Sequence, residues 1–312
     1  MKLPPEDSVT EMLSHADFTQ LAIRVDNAGR WGRDDELGTL NFLTEQRRLQ
    51  AAGLVRTGTM VSCAGQFHPS GVANPGPASA TAQLTLEFDE GPDWKAVNDR
   101  LLLSLHGQGS PTHLDALAHF FYQGTGYNKR PVRDVSPAGV SANAVTSSQA
   151  GIAGRGVLID LPAARGQALL APGEAGTMSD VTAALDRAGL AIAPGDIVFI
   201  RTGWPTASKS MTADTGMPGL SIECAEWAHR SELALIVTDC GLDPAPSQVA
   251  GVLVPWHILA LTRMGLRLVD LANLEALAQI CSRLRRWEFL AVISTIPIAG
   301  STSSPVNPLA LF

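Results

Sequence analysis

The sequence has no apolar run near the ~20 residues that a membrane-spanning helix requires. Its opening, MKLPPEDSVTEM, has neither an apolar core segment nor a small-residue cleavage site, so no secretory leader is expected and the expected location is the cytoplasm. Cysteine is scarce. Cys63, Cys224, Cys240 and Cys281 lie far apart with no CxxC pair, which fits reduced thiols rather than a disulfide frame or a zinc knuckle. Basic charge is thin as well. The net charge is −7, and the densest basic run, Arg283, Arg285 and Arg286, reads as a solvated helix face. This argues against a general nucleic-acid binder, which needs clustered Lys and Arg to neutralise phosphates. Without GxSxG, P-loop or GxGxxG motifs, a serine nucleophile and nucleotide-dependent chemistry lack their usual signatures.

What is present is a globular balance, 45% hydrophobic and 17% charged, in 312 residues that carry no repeat, long linker or charge block. One domain over 1–312 is expected, with an N-terminal extension of about 55 residues. Gly156–Leu161, Asp196–Thr202 and Ala234–Thr238 are short apolar runs of the kind buried on both faces of a sheet, and Phe289–Ile296 is similar. Helices are expected at Thr44–Ala52, from a Ser179 cap toward Gly189, at Ser221–Arg230 and from Asn273 to about Arg286. The alternation makes the second half an α/β arrangement. The Gly/Pro/Ala/Ser stretch Gly71–Ala82 reads as a long loop, either a lid over a site or a surface excursion.

Chemistry concentrates in Leu101–Tyr122, LLLSLHGQGSPTHLDALAHFFY. If His113-Leu114-Asp115 is extended, the imidazole and the carboxylate face one way and Leu114 faces the core. His119, four residues beyond Asp115, returns to that face if the chain turns into a helix. Imidazole with carboxylate suits Zn²⁺, Mn²⁺ or Fe²⁺. Burying three ionisable groups unpaired in an apolar run is costly, which favours a metal or catalytic site over chance. HxD with a distant His, here His257, also describes the facial triad of non-haem iron oxygenases, although that reading leaves His119 without a role. On the residues alone, His257 fits a helix-start histidine and Glu275 a helix-surface glutamate. His15, His68 and His229 read as ordinary surface or core residues.

HLDALAH resembles the heart of HxGTHxDxPxH, the signature of the cyclase family, which includes bacterial kynurenine formamidases and isatin hydrolases. WGRDDELGTLN from Trp31, GRGVLIDL from Gly154, GDIVFIRTGW from Gly195, VPWHILA around His257, NLEALA around Glu275 and the terminal SPVNPLALF are similar to its longer members. The resemblance implies an α/β fold with a central, barrel-like mixed sheet surrounded by helices, of the swivelling β/β/α type. It implies His113, Asp115, His257 and Glu275 as metal ligands, His119 as acid/base, and Glu275 as a second group for proton work. Two positions depart from the pattern. Gly109 stands where the family has its first histidine, leaving His106 as the possible extra ligand and one ion expected rather than two. Leu117 stands where the family has proline.

The expected activity is a metal-dependent hydrolase, Zn or Mn, cleaving an amide, lactam, lactone or ester through metal-activated water. A lyase, cyclase or iron oxygenase using the same cluster is the alternative, and a non-catalytic family member a further one. Trp204, Tyr127 and Asn128 are candidate substrate-binding residues, with Lys129 and Arg130 nearby. The expected partners are a small molecule and further copies of the chain, as a homodimer or homotetramer, with neither nucleic acid nor membrane.

Overall fold

The computed structural model describes residues 12–65, 82–106, 110–204 and 216–312. Its strands are β1 (Met60–Ser62), β2 (Ala82–Gly91), β3 (Trp94–Leu103), β4 (His113–Asp115), β5 (Val135–Ser136), β6 (Gly139–Val140), β7 (Ile152–Asp160), β8 (Ala175–Gly176), β9 (Ile197–Arg201), β10 (Gly219–Leu220), β11 (Leu235–Thr238), β12 (Arg267–Asp270), β13 (Glu288–Ile293), β14 (Ser303–Pro305) and β15 (Leu309–Leu311). Nine of them form one mixed sheet, in the order β1-β15-β13-β7-β9-β11-β12-β4-β14. β7, β9, β11 and β12 run parallel at its centre, and antiparallel strands complete both sides. The sheet curls into a half barrel flanked by helices, the α/β class expected from the sequence.

The central strands are mostly apolar because both faces are covered, with charged residues near their ends such as Asp160, Arg201, Arg267 and Asp270. Ile159, Val198, Ile200, Ile236 and Leu268 point into one core, with Phe18, Val181, Ala225 and Trp256. Leu158, Phe199, Leu235, Val237 and Val269 point into the other, with Leu43, Leu277, Phe289 and Phe312. Alternation along each strand thus supplies two cores from one sheet. All four cysteines are buried free thiols. Burial pushes Cys63 up to about 12 and holds the other three higher, so they are packing groups rather than nucleophiles.

The helices follow their caps. α1 (His15–Arg24) starts on Ser14, and α2 (Glu45–Ala52) on Thr44. The next two are α3 (Leu161–Ala164) and α4 (Met178–Ala188). Thr177 caps α4 in a capping box with Asp180, where Ser179 was expected, so Ser179 sits inside the helix. Gly189 ends α4 in the left-handed conformation. α5 (Cys224–Arg230) is shorter than its expected span. α6 (Pro255–His257) opens with proline and runs on into a π-helix over Ile258–Met264. α7 (Glu275–Leu284) begins two residues later than expected and stops at Arg285, which is left-handed. Among the described residues no helix is long and apolar enough to cross a membrane. Residues 71–81 of the expected loop, together with His68 and Gly109, lie outside the described residues; Ala82 already belongs to β2.

The WGRDDELGTLN segment braces the sheet beneath β12. Arg267 is fully buried and donates to the carbonyls of Leu37 and Glu36 and to Ser147 Oγ. Thr39 N donates to the Gly265 carbonyl, and Asp35 accepts from the Tyr127 hydroxyl at 2.9 Å.

Candidate metal centre

The carboxyl ends of parallel strands are where open α/β sheets place their sites. Here Asp270 is the last residue of β12, and antiparallel β4 begins at the same edge with His113 directly opposite it. Direct cross-strand neighbours share a face, which brings Asp270 beside the His-x-Asp pair. Leu114 is fully buried on the opposite face. The chain then turns rather than entering a helix, His119 N donating to the Ala116 carbonyl at 2.9 Å, and the turn still carries the His119 ring back to the cluster.

Asp115 is the centre. It is 1% exposed, with His106 Nδ1 at 3.5 Å, His113 Nε2 at 3.6 Å, His257 Nε2 at 3.5 Å and His119 Nε2 at 3.9 Å. The first two approach Oδ1 and the last two approach Oδ2. The His106 and His119 rings stack, with centroids 3.7 Å apart and planes within 3°. His257 Nε2 also lies 3.1 Å from Asp270 Oδ2. The potential ligand atoms of His106, His113 and Asp115 lie within 4.8 Å of one another, as do those of Asp115, His257 and Asp270. Two donor sets therefore share one carboxylate.

Partner residues orient the imidazoles. The Asp243 carboxylate lies 2.6 Å from His257 Nδ1 and accepts from the amides of Trp256 and His257, so it caps α6 and aims the ring together. The Pro111 carbonyl lies 2.9 Å from His113 Nδ1. Such carboxylate or carbonyl partners on the far nitrogen are the usual support of a metal-binding histidine.

Electrostatics point the same way. Burial alone would push His257 down, but Asp270 and the hydrogen-bonding carboxylates outweigh it and hold it well above the usual histidine range. Burial pushes Asp270 up. For Asp115 burial acts in that direction too, yet His257 and the other imidazoles outweigh it and keep the carboxyl below its ordinary value. Burial lowers His119 to about 4, so its ring is neutral at neutral pH.

The polar atoms left over show what the cluster fits. Both Asp115 oxygens, one Asp270 oxygen and His106 Nε2 are buried without a hydrogen-bond partner. Buried carboxylate oxygens without a donor are costly, and a divalent cation with bonds near ~2.1 Å satisfies them. Imidazole and carboxylate are the donors such an ion takes.

His113, Asp115, His119, His257 and His106 are thus brought together. Glu275 is not, which corrects the expected ligand set. Both its oxygens accept from Arg201, at 2.9 and 3.0 Å, and Arg201 also holds Asp160 at 2.8 Å. The carboxylate that joins His257 is Asp270. Its signal in the sequence is an aspartate closing the apolar strand RLVD, visible only once strand register is known. Asp243 in CGLDPAP carries no such signal.

Two substrate-binding expectations need the same correction. Tyr127 is fully buried in the core, its hydroxyl committed to Asp35. Asn128 ties the 29–35 loop, accepting from Gly29 N and donating to the carbonyls of Gly32 and Asp35. Trp204 stands just past the end of β9, at the carboxyl edge of the parallel strands. The Phe120 ring lies against the cluster, 4.7 Å from His119 and 5.3 Å from His257. Of the other histidines, His15 is exposed and His229 meets Asn27 at 3.2 Å.

Comparison with known proteins agrees with this architecture. The Cyclase family model matches residues 57–243. The crystal structure of a novel cyclase is similar over 92% of this chain and 99% of its own, at 27% identity and a TM-score of 0.81. Isatin hydrolase A from Labrenzia aggregata, bound to benzyl benzoate, shares the fold over 86% of this chain and 98% of its own, at 21% identity and a TM-score of 0.54. Isatin hydrolase A from Ralstonia solanacearum gives 86%, 97%, 21% and 0.54. No curated protein sequence matches.

Proposed function

This chain belongs to the cyclase family, and from that premise we propose that it is a metal-dependent hydrolase opening an amide, lactam, lactone or ester bond of a small molecule. The observation that carries the reading is the buried Asp115 carboxylate, ringed by four imidazoles with no hydrogen bond on either oxygen. The likeness of fold to isatin hydrolases supports a cyclic amide or ester as the substrate class.

His113, Asp115, His257 and Asp270 are the residues that would hold the ion, with His106 as a further donor. A divalent ion at such a site polarises a carbonyl and lowers the pKa of bound water to about 7. The chain supplies the rest. Asp243 and the Pro111 carbonyl fix the ring orientations of His257 and His113. His119, neutral and stacked on His106, offers a lone pair to take a proton from water and returns it to the leaving nitrogen or oxygen. Phe120 gives the cluster an apolar wall that suits an aryl or heterocyclic substrate and limits water.

The test is metal content followed by a hydrolysis screen over aryl formamides, lactams and lactones, run with wild type and His119→Ala. The reading expects His119→Ala to keep its metal and lose about 10²- to 10⁴-fold in turnover. Equal loss of metal and activity would instead make His119 a ligand. A metal-loaded protein inactive on every class would defeat the hydrolase reading.

A further inference from the structure

β14 ends the nine-stranded sheet and pairs with β4. The register sets Ser303 opposite Asp115, Ser304 opposite Leu114 and Pro305 opposite His113. Backbone bonds flank this stretch, from Ala116 N to the Thr302 carbonyl and from Val306 N to the Thr112 carbonyl. Hydrogen-bonded pairs alternate along an antiparallel ladder, so Ser303 and Asp115 form a non-hydrogen-bonded pair. That is the closer kind, with Cβ atoms about 4.5–5.5 Å apart. The Ser303 backbone agrees, since its amide and its carbonyl both turn to Ser301 Oγ, at 3.3 and 2.7 Å. The two neighbouring serines have different surroundings. Ser304 Oγ, on the Leu114 face, accepts from Ile296 N at 2.8 Å and donates to the Pro305 carbonyl at 2.9 Å. Ser303, on the Asp115 face, is 1% exposed, and its Oγ has no hydrogen-bond partner. A buried hydroxyl without a partner is costly. Across the ladder stand two oxygens with the complementary need, those of Asp115, which are also buried without a donor. On its other flank Asp115 faces Leu268, whose side chain has no polar atom.

We propose that Ser303 is a positioning residue for the metal centre, its hydroxyl donating to Asp115 when that carboxylate holds an ion. The inference rests on the metal-dependent reading given above. A carboxylate oxygen that shares one lone pair with an ion keeps another for a donor. The Ser303 hydroxyl reaches it by rotation about a single bond. His257 and His113 already have orienting partners, in Asp243 and the Pro111 carbonyl. Ser303 supplies the same support to the carboxylate that both donor sets share. The added bond fixes the direction of the Asp115 oxygens without contributing a ligand of its own, which is how outer partners tune a metal site.

The test is zinc titration of wild type and Ser303→Ala, with urea midpoints of both proteins in the metal-free state. Ser303→Ala is expected to bind zinc about 10- to 100-fold more weakly. Its metal-free midpoint is expected at or above that of the wild type, because the variant deletes a hydroxyl that has no partner in that state. A serine that only held the strand in place would do the opposite, lowering the metal-free midpoint and leaving the affinity alone. A direct signature accompanies these. In zinc-minus-apo infrared difference spectra of protein carrying isotope-labelled aspartate, the carboxylate stretch should be displaced between wild type and Ser303→Ala. Unchanged affinity, or identical carboxylate bands in the two proteins, would each overturn the proposal and leave the hydrolase reading standing. A wild type that takes up no zinc would overturn both.

Discussion

Asp243 Oδ2 and His257 Nδ1 lie 2.6 Å apart, and this contact determines which nitrogen the cluster receives. With Nδ1 engaged, Nε2 faces Asp115 at 3.5 Å and Asp270 at 3.1 Å. One carboxylate outside the cluster therefore sets both the start of α6 and the direction of a donor.

Removing it should loosen the metal without emptying the site. Asp243→Ala is expected to weaken metal affinity about 10- to 100-fold. Asp243→Asn, which keeps one acceptor oxygen where the carboxylate has two, should recover part of the loss. Metal titration by calorimetry checks this, and unchanged affinity in the alanine variant would remove the positioning role.

Glu275 separates the family expectation from the observed geometry. Because both its oxygens are held by Arg201, Glu275→Gln should leave metal content at the wild-type level. It should cost about 1–3 kcal/mol of stability, since it leaves part of the Arg201 charge uncompensated near Asp160. Asp270→Asn should do the reverse, losing metal. Elemental analysis and urea midpoints on the two variants decide, and metal loss in Glu275→Gln would restore that residue to the ligand set.

Chelation should act on the fold as well as on activity. The donors come from β4, α6 and β12, so only the folded chain presents them together. At metal a hundredfold above Kd the ion contributes about 2.7 kcal/mol. Removing it should lower Tm by about 4 °C in a chain of this length. One tightly held ion per chain is expected, in the set that contains Asp115, His257 and Asp270. His106→Ala should then retain it, and two equivalents in the wild type would contradict that count.

Asp239 predicts a pH dependence. Burial raises it from 3.8 to about 6, against the amide and hydroxyl donors of Thr202 and Gly203. Between those values the folded chain binds more protons than the unfolded one, so stability falls as pH rises from about 4 to about 6. The total change is up to about 3 kcal/mol at 1.36 kcal/mol per unit. Urea midpoints of the wild type relative to Asp239→Asn should show this slope. A pH-independent difference would mean that Asp239 titrates normally.

Legibility in the sequence followed locality. HLDALAH was readable because its three groups lie within seven residues and a strand alternates its faces. The central strands were readable because burial on both sides leaves unbroken apolar runs. Asp270 and Glu275 are five residues apart, and nothing local tells which one faces the site; the register opposite His113 does. Tyr127 and Asn128 misled because a polar residue in a loop serves equally well to pin a neighbouring loop, which is what both do.

The spread of the donors also sets when the site comes into being. His119 and Asp270 are separated by 151 residues, about half of the chain, and at 5–20 residues per second a ribosome needs roughly 8–30 s to travel from one codon to the other. Throughout that interval the nascent chain carries His113, Asp115 and His119 without the residues that close around them. An ion held by Asp115, His257 and Asp270 would therefore be captured only once β12 has docked beside β4.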